Sequence, residues 1–155
     1  MRRLGTLVGI VLLNACGSSS APLTPAQLVG SYSVSTVNGQ RIPTQIAGPQ
    51  SDLNCGPGGT STSRLDVGQL RLSADGTLQF HFAFTVDCTF ATGGRTTRQQ
   101  VDDSGGTYTI NGSFVELHRS NGQMLEAAEN GTSLQMVLQL PTALSPSAVV
   151  FQKDS

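Results

Sequence analysis

The chain has 155 residues, with 9 Lys and Arg against 10 Asp and Glu, so its formal net charge is −1. This length predicts a single domain. No basic patch of the kind that nucleic acid requires is present in the sequence, so we expect no nucleic acid partner.

The first 15 residues predict an export signal. A basic start at residues 1–3 precedes an apolar run over residues 4–13. A helix needs roughly 20 apolar residues to cross a bilayer, so this short run is typical of a secretory signal peptide rather than of a membrane span.

The residues that end this segment, Leu13-Asn14-Ala15-Cys16, resemble a bacterial lipobox. The resemblance implies cleavage after residue 15 and a lipid on Cys16, and two or more acyl chains would hold the protein stably at a membrane. Gly17 stands where some bacteria place the Asp that retains lipoproteins in the inner membrane, so we expect a lipid anchor in the outer membrane of the bacterial cell envelope. An ordinary secreted protein with a chance cysteine is the alternative.

Residues 16–25 are predicted to form the lipidated cysteine and a flexible tether, because they show no apolar periodicity, and residues 26–155 to form the folded domain. Within that domain Cys55 and Cys88 are an even pair in an oxidising compartment, which favours a disulfide. Two free buried thiols are the alternative. A metal site would need more ligands than these two thiols.

The first elements of the domain are short. Residues 24–28 predict one helical turn that begins with Thr24 and Pro25, and residues 30–37 predict a strand that ends in a tight turn at Asn38-Gly39. Residues 41–43 predict a short edge strand limited by Pro43. Residues 47–63 are rich in Gly, Pro, Ser and Thr and predict a long loop.

Residues 65–72 predict a strand in which the apolar phase changes at Gly68-Gln69, as a β-bulge at glycine would cause. A turn at Asp75-Gly76 leads into residues 78–90, in which every even position is apolar. Because side chains alternate between the two faces of a strand, this segment predicts a strand with one buried face. Four of the six phenylalanines of the chain lie on it, so we expect it to form the centre of the core.

The second half of the chain predicts a succession of hairpins. Residues 91–106 predict a polar loop with a weak strand at 96–101, and the following strands are separated by three Asn-Gly turns, at residues 111–112, 121–122 and 130–131. Residues 148–152 predict the last strand. Eight to ten short strands without a long helix predict an all-β antiparallel meander that closes into a small barrel, with an open β-sandwich as the alternative.

Several short motifs resemble those of small bacterial lipocalin-like lipoproteins, which have a calycin-type β-barrel. The motifs are Gly30-Ser31-Tyr32, Val37-Asn38-Gly39-Gln40, the run from Ser104 to Ile110, Phe114-Val115-Glu116-Leu117 and Val149-Val150-Phe151-Gln152-Lys153. The resemblance implies a lipocalin-like barrel whose mouth or loops hold a small apolar molecule. Because such barrels include protease inhibitors, the resemblance also implies protease inhibition as a further option.

No catalytic or cofactor site is predicted, and we expect the protein not to be an enzyme. His81 is predicted to lie on the polar face of its strand, and Glu116 and His118 share a face without a third ligand at metal-binding spacing. The serines lack the elbow motif that activates a nucleophile. We therefore expect no metal and no cofactor.

Two hypotheses for function remain. In the first, inward apolar side chains line a pocket for a small apolar ligand; the residues tentatively assigned to it are Phe80, Phe82, Phe84, Phe90, Tyr32 and Met136. In the second, the same side chains fill the core, and the protein is a structural or protein-interaction module that meets another envelope protein through its loops. A filled core is favoured in a domain of this size, because an empty cavity is costly.

Overall fold

The computed structural model describes residues 22–155. A single helical turn, α1 (Pro25–Leu28), is followed by ten strands and one short 3-10 turn at Leu53–Cys55. The strands are β1 (Gly30–Val37), β2 (Gln40–Arg41), β3 (Thr44–Ser51), β4 (Thr60–Leu72), β5 (Thr77–Thr89), β6 (Arg95–Asn111), β7 (Phe114–Arg119), β8 (Met124–Glu129), β9 (Ser133–Leu138) and β10 (Ser147–Lys153).

The predicted signal peptide, Cys16 and the first part of the tether lie outside the described residues. Within residues 22–155, no helix has the length and apolar character needed to cross a membrane.

The ten strands form one antiparallel sheet that closes on itself. Neighbours along the chain pair from β3 to β10, β10 pairs with β1, and β1 also pairs with β4. The result is an eight-stranded barrel of β1 and β4–β10, with β2 and β3 as additional edge strands. The predicted meander and its closure are confirmed, and the open sandwich is excluded.

Part of the sheet extends beyond the barrel. Strands β4, β5 and β6 pair with one another over almost their whole length, but β1 reaches only residues 69–72 of β4, and β7 reaches only residues 106–111 of β6. Beyond these pairings the sheet therefore continues as four strands, which are β3, residues 60–67 of β4, residues 82–89 of β5 and residues 95–105 of β6. We call this four-stranded extension the overhanging sheet.

The overhanging sheet corrects two predictions. Residues 47–63 and 91–106 were both predicted to be mainly loop, yet they supply much of β3, β4 and β6. Their Ser, Thr, Gln and Gly composition resembles that of a loop because both faces of these strands are largely polar. The long strand β5 nevertheless offers a continuous edge on each side, and its backbone groups are satisfied by β4 and β6.

The change of phase in β4 is confirmed, but its predicted position is wrong. The register against β5 shifts between Leu65 and Val67, so the additional residue is Asp66 rather than Gly68. Gly68 instead faces the interior, where a Cβ atom would collide with the side chain of Val34. The glycine therefore makes room for a core residue of β1.

The barrel interior is filled by side chains from all its strands. Phe80, Phe82 and Phe84 of β5 are at most 2% exposed. The rings of Phe80 and Phe82 stack with centroids 5.7 Å apart, and the ring of Phe151 lies 6.1 Å and 6.3 Å from them. At one end of the barrel Leu28 of α1 is fully buried in the same cluster.

The far end, opposite α1, is covered by the connection between β9 and β10. This connection, residues 139–146, is called the cover segment below. Its Leu140 is fully buried in the core cluster, and Ala143 packs against the cluster. The cover segment and the overhanging sheet together shape the pocket described next.

Candidate ligand pocket at the far end of the barrel

A pocket of about 530 Å³ lies between the inner face of the overhanging sheet and the cover segment. This volume is within the usual range of small-molecule sites. The lining differs from the apolar lining that is typical of such sites, because hydroxyl and amide groups dominate it. Its polar side chains include Gln50, Asp52, Ser61, Ser63, Arg98 and Thr142.

Strand alternation explains why polar groups line this pocket. Ser61 and Ser63 are in phase with Leu65, so they continue the inward face of β4 beyond the barrel, and both are buried. On the neighbouring strands, Val86 of β5 lies opposite both Ser63 and Arg98. On β4 the inward face of the barrel thus extends outward with hydroxyl groups in place of aliphatic ones, while β5 contributes Val86.

Three buried polar atoms of the described residues have no hydrogen-bond partner, and all three belong to residues that line this pocket. They are Gln50 Oε1, Ser63 Oγ and Thr142 Oγ1. Ser63 is only 2% exposed. Gln50 is held in place because its Nε2 donates to the carbonyl oxygen of Thr142 at 3.2 Å. Buried polar groups in proteins are almost always paired, so this concentration of unpaired atoms needs an explanation.

One ion pair lies at the rim of the pocket. Arg98 Nη2 is 3.2 Å from Asp52 Oδ2, and the Asp52 side chain is 16% exposed. The backbone N–H of Asn54 donates to Asp52 Oδ1 at 2.9 Å. This bond, with further contributions from the Ser61 hydroxyl and Arg98, lowers the pKa of Asp52. Asp52 is therefore a fixed negative charge beside a cation.

The predicted disulfide between Cys55 and Cys88 is confirmed. It ties the 3-10 turn to the end of β5 and so holds the rim residues Asp52 and Asn54 against the overhanging sheet. Asp52 and the two sulfur atoms lie within 4.8 Å of one another. Both sulfurs are bonded to each other and are therefore not thiolate ligands for a metal.

Five of the six residues tentatively assigned to an apolar ligand site lie together in the core. Tyr32, Phe80, Phe82, Phe84 and Met136 are all at most 2% exposed and belong to one cluster. None of the five lines the far-end pocket, and Phe80 lines a separate surface pocket beside His81 and Asp103. Whether any of them contacts a ligand stays a prediction.

Phe90 does not belong with the other five. Strand β5 ends at Thr89, and Phe90 begins a turn in which its N–H donates to the carbonyl oxygen of Gly94. Its half-buried side chain lies beside Gly56 and Gly94, outside the core cluster. Phe90 does not join the core cluster because β5, and with it the alternation of faces, ends at Thr89. Whether Phe90 contacts a ligand stays a prediction.

The two histidines considered in the sequence each lie beside a carboxylate at the surface. His81 Nδ1 lies 2.6 Å from Asp103 Oδ1, and His118 Nε2 lies 3.8 Å from Glu116 Oε2, with both histidine side chains 41% exposed. Asp102 points to the opposite face from Asp103 and contacts Arg119 at 3.2 Å.

Arg119 was not singled out from the sequence. Its side chain is only 5% exposed, and it donates to Ser104, Asp102 and Gln123 while its guanidinium lies 5.3 Å from the centre of the Phe80 ring. It therefore covers the phenylalanine cluster from the side of the cover segment, with its charge paired.

Sequence reasoning also missed the polar pocket, because residues 47–63 were assigned to a loop. One signal was available: Ser61 and Ser63 share the phase of Leu65 and are therefore expected to point inward if the strand starts earlier. No comparable signal identifies Gln50 or Thr142, which depend on the packing of the cover segment.

Comparison with protein-family models, curated proteins and solved structures found no match for the chain. Its function therefore has to be inferred from its own geometry.

Proposed function

We propose that this protein is a lipid-anchored lipoprotein of the bacterial cell envelope whose barrel binds a small polar molecule in the far-end pocket. The observation that carries the proposal is the convergence of Gln50 Oε1, Ser63 Oγ and Thr142 Oγ1 on one pocket without partners among the described residues. An unpaired buried polar group costs about 1–3 kcal/mol, so three at one place are typical of a site that a ligand completes.

The chemistry of these groups defines the class of ligand. The amide oxygen of Gln50 accepts hydrogen bonds, whereas the hydroxyl groups of Ser63 and Thr142 both donate and accept. The charges of Asp52 and Arg98 are paired with each other at the rim. A compact molecule with several hydroxyl or amide groups and no net charge suits this arrangement best.

An apolar ligand inside the barrel has less support. The rings of Phe80, Phe82 and Phe151 contact one another, and such a ligand would have to displace them from a packed core. The filled interior favours a second candidate instead, a solid-core module that contacts another envelope protein. Lipocalin-like membership, including the option of protease inhibition, remains part of the proposal, supported by the closed eight-stranded barrel.

The membrane anchor is tested by replacing Cys16. We expect the full chain, produced in a bacterium with a lipoprotein export route, to sediment with membranes and to carry the added mass of its acyl chains. The variant Cys16→Ala should be released into the soluble envelope fraction. Equal membrane association of the two proteins would contradict the anchor without bearing on the pocket.

The pocket is tested by native mass spectrometry of the full chain purified from its own envelope in mild detergent. We expect a bound small polar molecule on the wild type and its loss from Ser63→Ala. Thr62→Val is the matched control, because Thr62 is the neighbouring residue on the opposite face of β4. A bound lipid that survives Ser63→Ala would favour the apolar hypothesis and contradict the polar one.

A further inference from the structure

One edge of the overhanging sheet has no partner strand. Residues 95–104 of β6 pair with β5 on one side, and β7 joins the other side only from Gly106 onward. Among residues 22–155 no other strand pairs there. The unpaired stretch is ten residues, or about 33 Å at the usual rise along a strand.

This edge carries charged side chains, but it has none of the proline residues and irregularities of register that also prevent strands from associating. The opposite edge of the same sheet, β3, carries Pro49 and two irregularities of register against β4. In contrast, β6 pairs with β5 in an unbroken register of thirteen residue pairs, and its exposed side chains include Val101 at 55%. The edge of β6 is therefore long, regular and accessible.

The direction of its free backbone groups follows from the ladder. The N–H of Ser120 donates to the carbonyl oxygen of Gly105, so Gly105 directs its backbone groups toward the β7 side. Successive residues of an antiparallel strand direct their N–H and C=O groups to alternate sides of the strand. The odd-numbered residues Thr97, Gln99, Val101 and Asp103 therefore present their N–H and C=O groups at the unpaired edge.

The order of charges along the edge is self-complementary, although Arg98, Asp102 and Asp103 also contact Asp52, Arg119 and His81 of their own chain. Arg95 and Arg98 lie toward one end, whereas Asp102 and Asp103 lie toward the other. When two such strands run antiparallel with Gln100 at the centre, Arg98 of each copy lies opposite Asp102 of the other, and Gln99 lies opposite Val101. A parallel pairing in register would instead place Arg98 against Arg98.

We infer that two copies of this chain associate through the residue 95–104 edge of β6, antiparallel and with Gln100 on the two-fold axis. In this register the odd-numbered residues face odd-numbered residues, so the free backbone groups of both copies meet as hydrogen-bonded pairs. A two-fold contact of this kind joins the same patch on both copies and closes without forming a fibre. The two overhanging sheets become one eight-stranded sheet, independently of any ligand in the pocket.

The register is tested by a single cysteine on the proposed axis. In the full chain carrying Gln100→Cys, the two new cysteines lie opposite each other as a non-hydrogen-bonded pair, with Cα atoms about 4.5 Å apart. This spacing is within the range of disulfides, so mild oxidation should give a covalent dimer on a non-reducing gel.

The matched control is Thr96→Cys, on the same edge and the same face. In the proposed register Thr96 faces Ser104 of the second copy, and two copies of residue 96 are eight residues apart along the strands. We expect little covalent dimer from this variant and none from the wild type. Equal cross-linking of both variants, or none from Gln100→Cys, would overturn the proposal.

A second measurement does not depend on cysteine chemistry. Val101→Pro removes an N–H that points to the free edge, while Val101→Thr keeps it. By analytical ultracentrifugation of the full chain in detergent, we expect the dimer to dissociate at least tenfold more readily in Val101→Pro than in Val101→Thr. Circular dichroism of both variants checks that the barrel is intact. A wild type that stays monomeric when its concentration is raised 100-fold would refute the inference.

Discussion

At the scale of one residue, Ser63 is where the proposed binding site would reduce stability. Its hydroxyl is buried on the inward face of β4 and has no partner among the described residues. Burying this hydroxyl costs desolvation free energy that no hydrogen bond offsets. A substitution that removes the hydroxyl therefore also removes this cost. Polar groups placed in this way are typical of sites that sacrifice stability for function.

We therefore predict that Ser63→Ala leaves the free energy of unfolding unchanged or raises it by up to about 1 kcal/mol. Urea denaturation of ligand-free protein measures this, with Thr62→Val as the control. A loss of more than about 1 kcal/mol in Ser63→Ala would mean that the hydroxyl has a structural partner, and the argument for the pocket would fail.

Tyr32 is the residue whose ionisation most clearly affects stability. Burial, followed by the charges of Glu129 and Tyr108, raises its pKa from 10.0 to about 12. Its hydroxyl donates to the carbonyl oxygen of Leu28 at 2.7 Å, which joins β1 to α1. The side chain is thus part of the closed end of the barrel.

Between pH 10 and 12 the unfolded chain loses the Tyr32 proton while the folded chain retains it. The contribution of this group to stability is therefore complete below pH 10 and is lost as the pH rises toward 12. Tyr32→Phe should cost about 1 kcal/mol at pH 7 and should show a weaker loss of stability above pH 10. An identical alkaline dependence in the two proteins would contradict this assignment.

At the scale of elements, strand β6 passes from the overhanging sheet into the barrel at two adjacent glycines. A Cβ atom on Gly106 would collide with the carbonyl oxygen of His118, where β7 begins to pair. A Cβ atom on Gly105 would make only an ordinary contact, 3.7 Å from the carbonyl oxygen of Leu78. Both positions hold glycine, but only position 105 has room for a Cβ atom.

We predict that Gly106→Ala lowers the free energy of unfolding by about 1–3 kcal/mol, because the backbone of β7 has to move. Gly105→Ala is the control and should change it by less than about 0.5 kcal/mol. Thermal or urea denaturation distinguishes them. Equal effects would show that β7 does not approach β6 closely at this point.

The disulfide is the other device that positions an element. It closes a loop with a sequence separation of 33 residues, for which chain entropy predicts a stabilisation of about 3–4 kcal/mol. The double variant Cys55→Ala, Cys88→Ala should lose about this much in denaturant unfolding. It should also lose affinity for a pocket ligand, because Asp52 and Asn54 are no longer held at the rim. Unchanged stability would mean that the bond does not form in the cell-derived protein.

The sequence predicted the elements whose residues are determined by local rules. The alternation of residues 78–90 defined β5 apart from Phe90, and the Asn-Gly turns at residues 38–39, 111–112, 121–122 and 130–131 all contain glycines with positive φ. The strand at residues 95–105 is harder to predict because both of its faces are polar. Its sequence therefore shows no alternation of apolar and polar residues. Its strand structure depends on the partner edge of β5, which lies outside its own sequence.

At the scale of the whole molecule, the residues that pack the core and the polar residues that line the pocket lie in different parts of the barrel. The phenylalanines of β5 fill the interior, whereas Ser61, Ser63 and Arg98 line the far-end pocket from the inward faces of β4 and β6. The cover segment then closes the interior with Leu140 and contributes Thr142 to the pocket. The proposed binding site therefore lies outside the packed core.

The most direct test of this account is a crystal structure of the full chain purified from its own envelope with any bound molecule retained. We predict ligand density in the far-end pocket, within hydrogen-bonding distance of Ser63 Oγ and Thr142 Oγ1. The rings of Phe80, Phe82 and Phe84 should remain in contact with their neighbours. Density for an apolar chain between these rings, with the far-end pocket holding only solvent, would contradict the account.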